Sequence, residues 1–295
     1  MTLLPLAVCL LFGAAALAGT DPLVEDPVPD LSHPPAIMEL NIPSAGLRLP
    51  GLIYLANGAG PHPTVVLLHG IPGNEKNLDI AQALRRAGFN VLFFHYRGAW
   101  GAEGSYSVLQ VAEDALAALA MLRNPLHAKR YRVDVARLSL LGHSLGGFAA
   151  LRAGSDDDGL RCVGAISPLN FGPLVAGLTA EDTGAEAFLA YADTLYMLRD
   201  FDGARLRQQL RSAAPEDIDT TLFGPGLRGK TVLLVTGESD RVTVPAINFH
   251  PVVAAYSKEP QIRMRSQVIS GDHSFSWSRI ALTRLLLEWY LADCR

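Results

Sequence analysis

Cysteine is scarce in this chain. There are three in 295 residues, and one of them, Cys9, lies in an uncharged leader. The other two, Cys162 and Cys294, are too few for a disulfide-dense scaffold or a cysteine-rich metal centre. Charge of one sign is also missing: 25 Lys and Arg stand against 29 Asp and Glu, a formal net charge of -4. No basic stripe stands out, so nothing calls for nucleic acid or an anionic lipid surface as a partner. No repeat of fixed period and no low-complexity tract is visible. No histidine pair has metal-helix spacing, so neither a metal nor another cofactor is implied. Asp156-Asp157-Asp158 reads as a solvated loop.

Apolar sequence is abundant. At 49% it suffices for a sizeable core in one large domain or two small ones. The first twenty residues, "MTLLPLAVCLLFGAAALAGT", carry no charged side chain and close on Ala16-Leu17-Ala18. That is the small-residue pattern of a secretory signal peptide, here residues 1–18. The predicted protein is secreted or periplasmic, with no stable membrane association after cleavage. The alternative is a retained N-terminal anchor, since ~17–20 apolar residues span a bilayer. Residues 19–35 include five prolines and read as an extended linker.

From residue 36 onward the texture is regular. "IMELNI" and "GLRLPGLIYLA" alternate around "PSAG", which predicts an antiparallel hairpin. "TVVLLHG", "NVLFFHYRG", "ARLSLLGHS", "RCVGAISP", "TVLLVTGESD" and "RSQVISGDH" are short strand-like runs. They alternate with helical patterns, and residues 274–293 read as a closing helix carrying Trp277 and Trp289. The predicted fold is α/β, a mainly parallel eight-stranded sheet with helices on both faces. The roughly sixty residues between Pro168 and Lys230 hold helical patterns and no strand, too long for a structureless loop. They predict a helical cap, about 170–228, inserted into a domain spanning 36–295.

In "LSLLGHSLGG" a serine stands between glycines where a strand becomes a helix. G-x-S-x-G at such a junction holds Ser144 in a strained turn at the carboxyl edge of the sheet. A hydroxyl needs a base, and the base an orienting carboxylate. Later strands end at Asp240 and His273, each at the edge where open α/β sheets bind ligands. Glu238 and Asp272 compete for the carboxylate role, but Asp240 has the loop reach. The N–H groups of Ile71, in "LLHGIPG", and of Leu145 offer a pair of donors for an oxyanion. Trp100, in a Gly-rich loop, reads either as an apolar wall for the substrate or as a loop anchor. Phe171, Leu174, Phe188 and Tyr191 are expected to touch the acyl group from the cap. His69, His95 and His143 read as packing or loop residues.

With these residues in hand, the sequence resembles the α/β-hydrolase superfamily, in its dienelactone-hydrolase and prolyl-oligopeptidase-like branch. "HGIPG", "YRGAWGAEGSYS", "GHSLGG", "GESDRVTVP" and "GDHSF" carry the likeness. It implies Ser144 as nucleophile, Asp240 as acid and His273 as base. Dienelactone hydrolases proper use cysteine as nucleophile, and epoxide hydrolases use aspartate, so those two activities are disfavoured. The expected function is hydrolysis of a small-molecule ester by a serine carboxylesterase. An amide- or peptide-cleaving enzyme, or a non-catalytic binding protein of the same fold, is the alternative. Cys162 and Cys294 are expected near the opposite edge of the sheet, either paired or as two thiols.

Overall fold

A computed structural model describes residues 21–294. The signal peptide read at 1–18 lies outside the described residues. Ala36–Ser44 (β1) and Leu47–Leu55 (β2) pair antiparallel as the predicted hairpin. His62–Leu68 (β3), Asn90–Phe94 (β4), Val133–His143 (β5), Cys162–Ile166 (β6), Thr231–Gly237 (β7) and Arg263–Ile269 (β8) complete the sheet. Its order is β1-β2-β4-β3-β5-β6-β7-β8. β2 meets β4 antiparallel, and every pair from β4 to β8 is parallel.

The apolar runs are continuous because central strands are covered on both faces. Val66, Leu68, Leu140, Val232 and Leu234 enter one core. That core includes helices α2 (Val111–Arg123) and α4 (Leu145–Asp156). Val65, Leu67, Leu141, Leu233 and Val235 enter the other, with α1 (Leu78–Arg86) and α11 (Arg279–Ala292). A period of two thus splits each run between two helical layers. A short helix, α3 (Pro125–Arg130), follows α2 after the Asn124 side chain caps it.

Between β6 and β7 lie α5 (Phe171–Thr179), α6 (Thr183–Ala192), α7 (Gly203–Ser212) and α8 (Pro215–Ile218). Short α9 (Pro245–Asn248) and α10 (His250–Tyr256) follow β7. This helical insertion is tied to the Gly-rich loop by backbone bonds. Trp100 N–H donates to Met197 O (3.0 Å), Arg199 N–H to Gly98 O (2.7 Å), and Tyr106 N–H to Arg199 O (2.9 Å).

Three details depart from the sequence reading or resolve it. Residues 21–35 form neither strand nor helix, yet they are fastened rather than loose. Arg86 Nε donates to Pro22 O, Asn57 Nδ2 to Val28 O, and Arg132 Nη2 to Pro34 O. Trp277 is not in the last helix. The Asp272 carboxylate accepts from the N–H groups of Ser274 and Ser276, forming a turn that delays the helix to Arg279. Trp277 is exposed. Cys162 and Cys294 are joined in a disulfide, with Cα atoms 5.9 Å apart, within the range that such a bond spans.

Candidate active site

Ser144 is the single residue between β5 and α4, with φ 58° and ψ -120°. Non-glycine residues rarely adopt that backbone, so surrounding structure must hold it. Ser144 N–H donates to Ile166 O (2.9 Å), and its carbonyl accepts from Phe148 and Leu169 (both 3.1 Å). The flanking glycines are dictated by contact. A Cβ at Gly142 would meet Gly146 O at 1.9 Å, and one at Gly146 would meet Leu68 O at 2.1 Å. Only hydrogen fits where the helix turns back against β3 and β5.

β7 and β8 bring Asp240 and His273 together. His273 Nδ1 donates to Asp240 Oδ2 at 2.8 Å, and the Asp240 side chain is fully buried. The N–H groups of Val242 (2.8 Å) and Thr243 (2.9 Å) donate to its Oδ1, and the Thr243 hydroxyl donates to Oδ2 at 2.8 Å. Burial pushes this carboxyl up. The hydrogen bond and charge of His273, with Thr243 and Val242, outweigh burial and hold it at about 2. The competing carboxylates are placed elsewhere. Glu238 is exposed, and Asp272 is engaged with Ser274 and Ser276. Thr243 was not singled out by the sequence. Its signal is the hydroxyl three residues after the aspartate, in "DRVT". No hydrogen bond joins Ser144 Oγ to His273 in this structure. Such bonds often tighten only when substrate arrives.

The 69–73 loop lies against Ser144: a Cβ at Gly70 would meet Ser144 Cβ at 3.0 Å. Three of its carbonyls are occupied. Tyr96 Oη donates to His69 O (3.1 Å), His69 Nδ1 to Gly70 O (2.7 Å), and Trp100 Nε1 to Pro72 O (2.6 Å). The N–H groups of Ile71 and Leu145 have no hydrogen-bond partner among the described residues. Burial lowers the pKa of His69 to about 3 and that of His95 to about 4, so both rings are neutral supports at neutral pH.

Trp100 is thus a loop anchor, its indole N–H holding the expected oxyanion loop from 28 residues away. Phe171 corrects an expectation. It is fully buried, edge-on to Phe148 of α4 with centroids 5.0 Å apart, and so belongs to the core rather than to an open substrate pocket. Tyr191 is 43% exposed. A cavity of about 630 Å³ lies among the inserted helices, lined by Val175, Leu178, Glu186, Arg207 and Leu210, and touches none of the site residues. A groove of about 610 Å³ between residues 74–79 and Ser274, Ser276 and Arg279 lies beside the His273 loop. Among the described residues, no group of three His, Cys, Asp or Glu side chains is gathered for a metal. No helix among them is long and apolar enough to cross a membrane.

Comparison with known proteins gives the family and the fold. A family model described as the alpha/beta hydrolase family matches residues 65–283, more than half of the chain. Esterase EstD of Thermotoga maritima is 35% identical over 131 residues, covering 40% of this chain and 30% of that protein. The chain thus spans less than a third of that relative's length. Est1E from Butyrivibrio proteoclasticus superposes with a TM-score of 0.63 at 17% identity, over 86% of this chain and 97% of that one. A puromycin-hydrolyzing peptidase of Mycobacterium tuberculosis gives a TM-score of 0.66 at 18% identity, over 90% of this chain and 40% of that one. At such identities the two structures share the fold.

Proposed function

The chain belongs to the α/β-hydrolase family, and from that premise we propose that it is a serine hydrolase cleaving a small carboxylic ester through an acyl-enzyme on Ser144. The observation that carries this reading is the strained Ser144 turn, set at the same sheet edge as the buried Asp240–His273 pair. The sequence similarity to an esterase favours an ester over an amide.

In this reading Ser144 Oγ attacks the ester carbonyl, and His273 Nε2 takes its proton. Asp240 fixes the tautomer through Nδ1 and stabilises the imidazolium that forms. Ile71 and Leu145 donate their unpaired N–H groups to the tetrahedral oxyanion, at the N-terminus of α4. His273 returns the proton to the departing alcohol. Water, activated by the same imidazole, then attacks the acyl-enzyme and regenerates Ser144. Export is part of the proposal: the uncharged leader and the Cys162–Cys294 bond both suit an oxidising compartment.

A fluorophosphonate probe tests the chemistry. It should label the wild type and fail on Ser144→Ala. A chain-length series of chromogenic esters, run beside amino-acid arylamides, tests the substrate class. Turnover of arylamides alone would replace ester by amide, and absence of labelling would remove the serine mechanism. Amino-terminal sequencing of the exported protein should begin near Gly19.

A further inference from the structure

His143 immediately precedes Ser144 and is 4% exposed. Its Nε2 lies 2.7 Å from the backbone carbonyl oxygen of His273. A carbonyl only accepts, so the contact assigns the proton of His143 to Nε2. Its Nδ1 is buried with no partner among the described residues. The two imidazole centroids are 4.7 Å apart and inclined at 45°.

We propose that His143 is a positioning residue, whose Nε2–H fixes the backbone of His273 relative to Ser144. The proposal rests on the serine-hydrolase reading. Other contacts hold the His273 loop to different parts of the fold. Ser239 N–H donates to Gly271 O (2.9 Å), and Arg279 Nη1 donates to Ser274 O (3.2 Å). The Asp272 carboxylate closes the loop on itself. The bond from His143 runs from the neighbour of the nucleophile to the base's own carbonyl. It therefore bears directly on the separation between the attacking oxygen and the imidazole.

The residue type suits the task. The site needs a donor that stays neutral when buried, because a second positive charge at this distance would oppose the imidazolium of His273. Burial, followed by the nearby His273, holds the pKa of His143 at about 3. It is therefore uncharged wherever the enzyme would work.

Two volume-matched variants test this. His143→Gln keeps an N–H donor, and His143→Met removes it at similar length. Fluorophosphonate labelling rate is read first, because it does not depend on knowing the substrate, followed by kcat and KM on a short ester. His143→Met should lose about 100-fold in labelling rate and kcat with KM little changed, the size of effect that follows a small misplacement of reacting groups. His143→Gln should recover most of that loss. Equal rates for the Gln and Met variants would overturn the proposal. So would imidazole ¹⁵N shifts of the unaltered protein that place the His143 proton on Nδ1. Failure of the wild type to label at all would overturn the serine-hydrolase reading and this inference with it.

Discussion

Asp240 and His273 meet through one 2.8 Å hydrogen bond, and the carboxylate side of that pair is sealed from solvent. A buried carboxylate with four donors around it orients an imidazole rigidly. Asp240→Asn should leave the fold intact and lower kcat on the order of 10⁴-fold, as in better-studied triads. Glu238→Gln and Asp272→Asn should each stay within about tenfold of wild type, because neither carboxylate reaches the imidazole. Steady-state rates on one short ester decide the assignment. If Glu238→Gln abolished turnover while Asp240→Asn kept it, another carboxylate would hold His273.

The same pair predicts an acid-sensitive step in stability. The folded pKa of Asp240, about 2, lies below its ordinary value of 3.8. Its contribution to folding is therefore complete above about pH 4 and is lost as pH falls through 2. Over that window the loss from this one group runs at about 1.4 kcal/mol per pH unit. Urea unfolding between pH 5 and pH 2 should show Asp240→Asn with a shallower acid limb than wild type. Parallel limbs would mean that the carboxylate is not held ionised.

The disulfide separates stability from chemistry. It joins residues 132 apart in sequence, linking the start of β6 to the end of α11. Closing so long a loop is worth about 5 kcal/mol in the chain-entropy account. Cys162 lies at the amino end of β6, four residues and about 13 Å from Ile166, which backs Ser144. Reduction, or Cys162→Ser with Cys294→Ser, should lower the urea midpoint while leaving kcat well below the melting transition unchanged. A matching fall in kcat would show that the bond also shapes the site.

Trp100 should act on rate rather than on chain-length preference. Trp100→Phe keeps an aromatic ring at the position and removes the N–H that holds Pro72 O. A single hydrogen bond is worth about 1 kcal/mol, so kcat should fall by about fivefold. The drop should be equal for acetyl and longer acyl esters. A drop confined to long esters would make Trp100 part of the acyl wall instead.

Much of this site was legible in the sequence because its signals are local. "LSLLGHSLGG" contains the strand, the turn and the helix start, and its glycines are required by atoms a few residues or one strand away. The continuous apolar runs Val65–Leu68 and Val232–Val235 marked strands covered on both faces of the sheet. Asp240 and His273 each stand just past a readable strand. Tertiary structure decided what depends on distant segments meeting. A Cβ at Gly237 would meet Gly271 O at 2.5 Å, so the ends of β7 and β8 lie close together, and it is Asp240 rather than the exposed Glu238 that meets His273 there. Phe171 was expected to touch the acyl group, but docking of α5 on Phe148 makes it core. Trp100 became an anchor through a contact with Pro72, His143 through one with His273, and Cys162 found Cys294 because α11 runs back along the sheet. Periodicity and turn chemistry are written over a few neighbouring residues. Contacts between loops are set by the order in which strands assemble, and no short stretch of this sequence encodes that order.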